Sequence, residues 1–543
     1  MAAPHSSPTA AMSSPTNIKA ELDVEAVQPG PSRPSHTTST STTPTLFRSP
    51  STLYRERGTV PVELVNAVLE KGDAFEIVFD GPNDPRNAQN WSFGKKIFQT
   101  SLMTAATLWA GIGSAVISGA ATSFRAHFGV SAVVAELANG MFILGFALGP
   151  QVFGPLSEVL GRKWPLTLGL FLGTMFSIMT AGAGNLGTVI VGRFLGGLFG
   201  ASPYAIGGGW FHDVYDPIHV QAGVAFFAAA TAGGPALGPI IGAGLASTSA
   251  NYGWRWAEWF MAAFGLLVTF LLAVFMEEAY APSILKQEAM RRRRETKVWA
   301  YHSELDTVNI TPSDILLRYV LRPVRMLFTE PLLFVISMYM SFVYALLYML
   351  MAALPVIFGE YRGMGPFVEN TPLFSVFVGI VCGGALIILD MQRYKGRLAA
   401  TGAEALPEER FVPMGLGALL LPIGLFWFAF TGPAQVSSPW PSIIALGFSM
   451  CGMVLIFECG IIVIIDNYGS FANSAIAANT LTRSIFGGSF PLFTAGMVHN
   501  LGLEGTWSMA LLAFIAVALA PIPLIFYHIA PRLRAMSKFN PGL

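Results

Sequence analysis

The chain has 543 residues, of which 53% are hydrophobic and only 12% charged, with 32 basic and 32 acidic side chains and a formal net charge of zero. A soluble globular protein carries about a quarter of its residues as charges, so most of this chain is not solvated by water, and the charge balance argues against a nucleic-acid partner. Cys382, Cys451 and Cys459 lie inside apolar runs and have no disulfide-framework or metal-ligand spacing, so neither a metal nor a cofactor is expected.

Residues 1–60 are rich in Ser, Thr and Pro and hold no apolar segment, so no cleavable signal peptide is expected. With the polar stretch that follows, they read as a disordered cytosolic tail over 1–90. After Trp91 the composition changes. Apolar runs of about 20 residues, long enough to cross a bilayer core as helices, succeed one another. Six fall at 97–121, 134–155, 164–183, 187–211, 220–246 and 255–276, and six more at 331–358, 370–390, 412–432, 439–465, 471–496 and 506–528. A hydrophilic segment, 277–330, separates them and carries Arg291 to Arg294. The expected fold is an all-α membrane protein of twelve transmembrane helices in two six-helix bundles, 91–276 and 331–528, with a short cytosolic tail at 529–543.

Charge sets the orientation. With both termini cytosolic, 27 of the 32 Lys and Arg residues lie on the inner side, whereas the outer loops hold only Arg125 and Arg362. The Arg291 to Arg294 run reads as a cytosolic topology determinant near anionic lipid. Trp254, Trp256 and Trp259 fall where the sixth run enters from outside, as an aromatic belt would.

Three strings carry chemistry. Between the second and third runs stands Gly154-Pro155-Leu156-Ser157-Glu158-Val159-Leu160-Gly161-Arg162-Lys163. Here a glycine permits close helix approach, and Glu158 is placed to pair with Arg162 or cap a helix end. Such a charge cluster can latch one conformation and release another. The fourth run contains Arg193, which at that depth needs a partner or water. The fifth contains Gly234-Pro235-Ala236-Leu237-Gly238-Pro239-Ile240-Ile241-Gly242, where prolines bend a helix and glycines every four residues give a smooth packing face at a bundle interface.

These strings resemble the loop signature, the helix-4 arginine and the antiporter motif of the major facilitator superfamily. Several further stretches are similar to the fungal twelve-helix drug:proton antiporters: Asn90-Trp91-Ser92 before Lys95-Lys96, Trp254 to Trp259, Asp466-Asn467-Tyr468, Ala478 to Ser484, Phe490-Pro491-Leu492-Phe493 and Arg532-x-Arg534-x-x-Ser537-Lys538. The resemblance covers roughly 85–543. It implies gating by Gly154, Glu158, Gly161, Arg162 and Lys163, antiport through the motif of Gly234, Pro235, Gly238, Pro239 and Gly242, and proton coupling that involves Arg193. The segment from Asp213 to Gln221 lacks the arginine that relatives usually place near its end.

Glu458 stands outside the family pattern. It lies in the tenth run about 12 Å from Asp466 at the helical rise, and an ionisable group at that depth is a functional candidate. A neutral glutamate hydrogen-bonded between helices is the competing reading. Arg193 and Arg483 are candidates for substrate or proton handling. No Ser-His-Asp order or phosphate loop is visible, so the chain is not expected to be an enzyme. The expected function is proton-driven export of a small organic compound by a monomer in the plasma membrane, or alternatively the vacuolar membrane. Uptake, polyamine export and a transporter-like receptor remain as alternatives.

Overall fold

In the computed structural model the apolar runs are α-helices. The structure describes residues 75–215, 220–249, 252–307, 321–401, 407–432, 438–468, 471–501 and 505–535. The first half comprises α1 (Phe93–Gly119), α2 (Ala121–Phe128), α3 (Ala132–Phe146), α4 (Gly149–Leu160), α5 (Lys163–Ala181), α6 (Leu186–Gly200), α7 (Ser202–Val214), α8 (Val220–Ala246) and α9 (Gly253–Phe275). The connector holds α10 (Ala281–Thr296), α11 (Glu304–Thr307) and α12 (Arg322–Thr329). The second half comprises α13 (Pro331–Leu354), α14 (Phe374–Thr401), α15 (Phe411–Thr431), α16 (Trp440–Tyr468), α17 (Ala472–Ser489), α18 (Pro491–Asn500), α19 (Thr506–Leu519) and α20 (Pro521–Ala535).

Several expected runs are each two helical segments rather than one, and proline marks every break. Pro150 and Pro203 stand in the first turns of α4 and α7, Pro355 opens a π-helical extension of α13, and Pro491 and Pro521 begin α18 and α20. Proline has no N–H to donate into the preceding turn, but fits the first turn of a new helix. Counted as joined units, ten helical spans among the described residues are long and apolar enough to cross a membrane. The α8 segment and the α17–α18 pair occupy the other two expected positions.

There are two apolar cores, one within the first half and one centred on the second half that also takes in Ala115, Ile143, Ala236 and Ile240 of the first. One gathers Trp109, Phe142, Trp210 and Trp254, and the other Tyr348, Phe358, Phe411 and Phe428. Trp254 is therefore not part of a lipid-facing belt. It is fully buried against Phe124 and Phe128, at ring-centroid distances of 5.3 and 5.4 Å, whereas Trp256 and Trp259 are exposed.

Ordered structure begins within the stretch expected as tail. The backbone of Phe75 to Ile77 pairs with His302, with Ile77 N donating to His302 O at 2.8 Å, and Ile77 is buried. Asp84, also buried, accepts hydrogen bonds from Arg86, which holds its carboxyl well below the usual carboxylate range. Most of the Arg291 to Arg294 charge is met by protein. Arg291 pairs with Glu295 at 2.8 Å, Arg292 with Glu288 at 3.2 Å, and the largely buried Arg293 with Asp306 at 2.7 Å.

Candidate functional site: a charged mouth, a buried ion pair and a central carboxylate

The charged string after the second run is mostly helix, not loop, because α4 continues to Leu160 and carries Pro155 inside it. Gly161 ends it at φ +88°, in the left-handed region that glycine tolerates. A Cβ there would also stand 2.3 Å from Glu278 Oε2. Glu278 occupies that space to accept from the backbone N of Arg162 at 2.8 Å and of Lys163 at 3.1 Å, an anion satisfying the free amides that open α5.

Arg162 does not pair with Glu158 as expected. Its Nε donates to Asp213 Oδ2 at 2.9 Å, its Nη1 to Ser157 Oγ at 2.9 Å, and its guanidinium lies 4.6 Å from the Tyr280 ring centroid. The pairing arises because α7 runs to Val214, so Asp213 and His212 are helical rather than in a loop. Glu158 instead accepts from Asn473 Nδ2 at 3.4 Å, across to the second half. The space beside Gly154 is open, so close helix approach is not what this glycine provides. Lys163 Nζ lies 5.5 Å from the Trp164 ring. Gly154, Glu158 and Arg162 line one wall of a cavity of about 320 Å³, and Tyr204, Asn473 and Thr480 contribute to the rest.

Arg193 on α6 is almost fully buried, and each of its three guanidinium nitrogens has a partner. Its Nη1 donates to Glu258 Oε1 on α9 at 3.0 Å, its Nη2 to Gly113 O at 2.7 Å and its Nε to Ala138 O at 3.2 Å. The guanidinium also sits 4.5 Å from the Phe142 ring. Both members of the ion pair are at most 2% exposed. Burying two charges is tolerable only with such geometry.

Glu458 on α16 lines a second, smaller cavity of about 40 Å³ with Thr231, Tyr344, Met450, Met453 and Phe457. Arg483 on α17 packs against two of its walls, with its guanidinium carbon 5.0 Å from the Tyr344 ring and 5.0 Å from the Phe457 ring. Arg483 is 7% exposed, and its Nε has no hydrogen-bond partner among the described residues. The cavity lies between the halves, since Thr231 belongs to α8 and the other five residues to α13 and α16. Next to it, Ser114 on α1 and Tyr348 on α13 form a 2.9 Å hydroxyl bond from one half to the other.

The glycine motif of α8 packs inside its own half rather than between the halves. A Cβ on Gly234 would fall 2.7 Å from Gly111 Cα, one on Gly238 2.7 Å from Ile112 O, and one on Gly242 2.1 Å from Val116 O. The seam is thus a backbone-to-backbone contact of α8 with α1, which any side chain would prise apart. Pro235 and Pro239 lie within α8, which continues through both.

The structure therefore groups Glu158 with Arg162, and Arg483 with the cavity of Glu458, but pairs Arg193 with Glu258 rather than with Glu458. Sequence reasoning missed Asp213 and Glu278 at the mouth, Tyr344 and Tyr348 at the centre, and Glu258. It also passed over Glu136 on α3, whose Oε2 is buried without a hydrogen-bond partner among the described residues. Glu258 had a signal: within the six expected spans of the first half, Glu136 and Glu258 are the only acids that could neutralise Arg193.

Residues 103–491 match the profile of the Major Facilitator Superfamily. The chain is 40% identical over 464 residues to the MFS-type transporter traF of Penicillium crustosum, covering 85% of this chain and 93% of that protein. It is 38% identical over 474 residues to a citrinin biosynthesis cluster MFS transporter of Monascus ruber, at 86% and 93% coverage. To an efflux pump of Gibberella fujikuroi it is 35% identical over 472 residues, at 87% and 96% coverage. Among solved structures, the xylose transporter XylE from E. coli shares the fold with a TM-score of 0.54 at 17% identity, over 79% of this chain and 99% of that one. This chain is a multi-pass membrane transporter of small compounds and belongs to the Major Facilitator Superfamily.

Proposed function

We propose that the protein exports a small organic metabolite in exchange for protons, working as a monomer in the plasma membrane with both termini in the cytosol. The observation that carries this reading is Glu458, a carboxylate facing a cavity lined from both halves, with the Arg483 guanidinium packed against two of the cavity's walls. Such a group can hold a proton or a ligand but is costly to leave charged and bare. Rocking of the halves about it would expose it to each side in turn.

Export rather than uptake is supported by relatives described as an efflux pump and as transporters of biosynthesis clusters. The charge asymmetry supports the orientation, which puts the larger cavity and Arg162 at the cytosolic mouth. There the Arg162–Asp213 pair and the Glu158–Asn473 contact would act as the latch. A second reading, export of an organic anion, is favoured by the unpartnered Nε of Arg483. Deleting the gene in its host and profiling small molecules inside the cells and in the medium tests export. A compound should rise inside and fall outside. A compound that falls inside and rises outside would indicate uptake.

A further inference from the structure

Three hydroxyls form an unbroken chain from the cavity of Glu458 into the first half, and proton counting fixes its direction. Each hydroxyl has one proton to donate. Ser114 Oγ lies 2.7 Å from Gly111 O, a carbonyl that can only accept, so the serine proton is committed there. The 2.9 Å contact between Ser114 and Tyr348 must then use the tyrosine proton. Tyr348, its proton spent, can only accept from Tyr344 at 3.2 Å. Ser114 and Tyr348 are at most 1% exposed, so no water competes for these bonds.

The consequence falls on Tyr344, which lines the cavity. With its proton directed to Tyr348, it offers the cavity only lone pairs. The other polar wall groups are Glu458, whose carboxylate only accepts while it is ionised, and Thr231, whose proton goes to Phe227 O at 2.8 Å. The charged and titratable groups around this point include Glu458 and Cys459 on α16, Tyr344 and Tyr348 on α13, Tyr204 on α7 and Arg483 on α17, the last lying over the Tyr344 and Phe457 rings.

We infer that Tyr344, together with Glu458 in its ionised state, forms an acceptor-only wall that selects substrates presenting a neutral hydrogen-bond donor, such as a phenol hydroxyl. Arg483 disfavours a cation here, and a cavity of about 40 Å³ admits one small substituent rather than a ring system. The larger cavity reaches Tyr204 on α7, and the smaller one Thr231 on α8. The selection belongs to this conformation. If the halves part and Ser114 leaves Tyr348, the chain can reverse and Tyr344 can donate, which weakens its hold on a donor and favours release.

This inference rests on the proposed transport cycle for its use, but its test is an equilibrium measurement. Binding of 2-naphthol, 2-methoxynaphthalene and 2-naphthoate to the purified full-length chain in detergent is measured by titration calorimetry. The wild type should prefer the phenol to its methyl ether by about fivefold, the effect of one hydrogen bond to the neutral Tyr344 oxygen. Tyr348→Phe, and independently Ser114→Ala, should bring the ratio towards one, because either frees the Tyr344 proton to face the cavity. A merely structural role for these residues would weaken both ligands alike and leave the ratio unchanged. Equal wild-type affinities, an unchanged ratio in both variants, or tightest binding of the naphthoate would overturn the inference. The same selectivity in a protein that moves no protons would instead count against the proton-coupled cycle alone.

Discussion

Removing the carboxylate from the Arg193–Glu258 pair tests whether the fold of the first half depends on it. Both side chains are at most 2% exposed, and their 3.0 Å contact is the only ion pair formed by Arg193 among the described residues. Glu258→Ala would leave the guanidinium in apolar surroundings, with two carbonyl oxygens and the Phe142 ring as its remaining partners. Breaking a buried pair from one side costs about 3–5 kcal/mol. The retained carbonyls place this case near the lower end. Arg193→Met combined with Glu258→Met removes both charges and refills the space with apolar side chains, so it should recover most of that loss. The assay is the fraction of a fluorescent fusion that stays monodisperse after heating in detergent. The double variant should outlast Glu258→Ala by a wide margin. A single variant as stable as the wild type, or a double variant no better than the single, would refute the argument.

At the mouth, Arg162→Ala and Asp213→Ala should each slow turnover while leaving substrate affinity nearly unchanged; a large affinity loss at normal turnover would place Arg162 in the binding site instead. On α8, Gly242→Ala should open the seam with α1 and reduce stability, because its Cβ would sit 2.1 Å from Val116 O, whereas Gly208→Ala, with nothing within 4 Å, should be neutral. Thermal stability of the two variants decides this, and equal losses would contradict the packing account. For orientation, a cysteine at the exposed Ser247 should react with an impermeant reagent on intact cells and one at Glu295 should not. The reverse pattern would invert the map.

How far the sequence reaches depends on whether a feature is local. The helical spans were legible because hydrophobic run length is a local property, and the family strings were legible because their spacing is local. Partner choice was not. Arg162 and Asp213 stand 51 residues apart, and Arg193 and Glu258 65 residues apart, so only the packing of α4 to α9 reveals these pairs. Glu158 looked like the natural partner of Arg162 because it is near in sequence, yet it reaches across to Asn473. The glycines of α8 were read correctly as a close-packing face. Which neighbour they pack on, α1 rather than the opposite half, is set by tertiary structure. The direction of the hydroxyl chain through Ser114, Tyr348 and Tyr344 is further still from sequence, since it follows from three distances between residues of two halves.

The proposed cycle exchanges the exported compound for protons at Glu458. Its most direct test uses proteoliposomes holding a pH-sensitive dye and an imposed pH gradient, to which the compound identified by metabolite profiling is added. In the wild type, the compound should speed decay of the gradient and should itself be concentrated against its own gradient. Glu458→Gln should still exchange compound down a gradient, but without proton movement or uphill transport. Absence of compound-dependent proton flux in the wild type, or uphill transport by Glu458→Gln at the wild-type rate, would contradict the account.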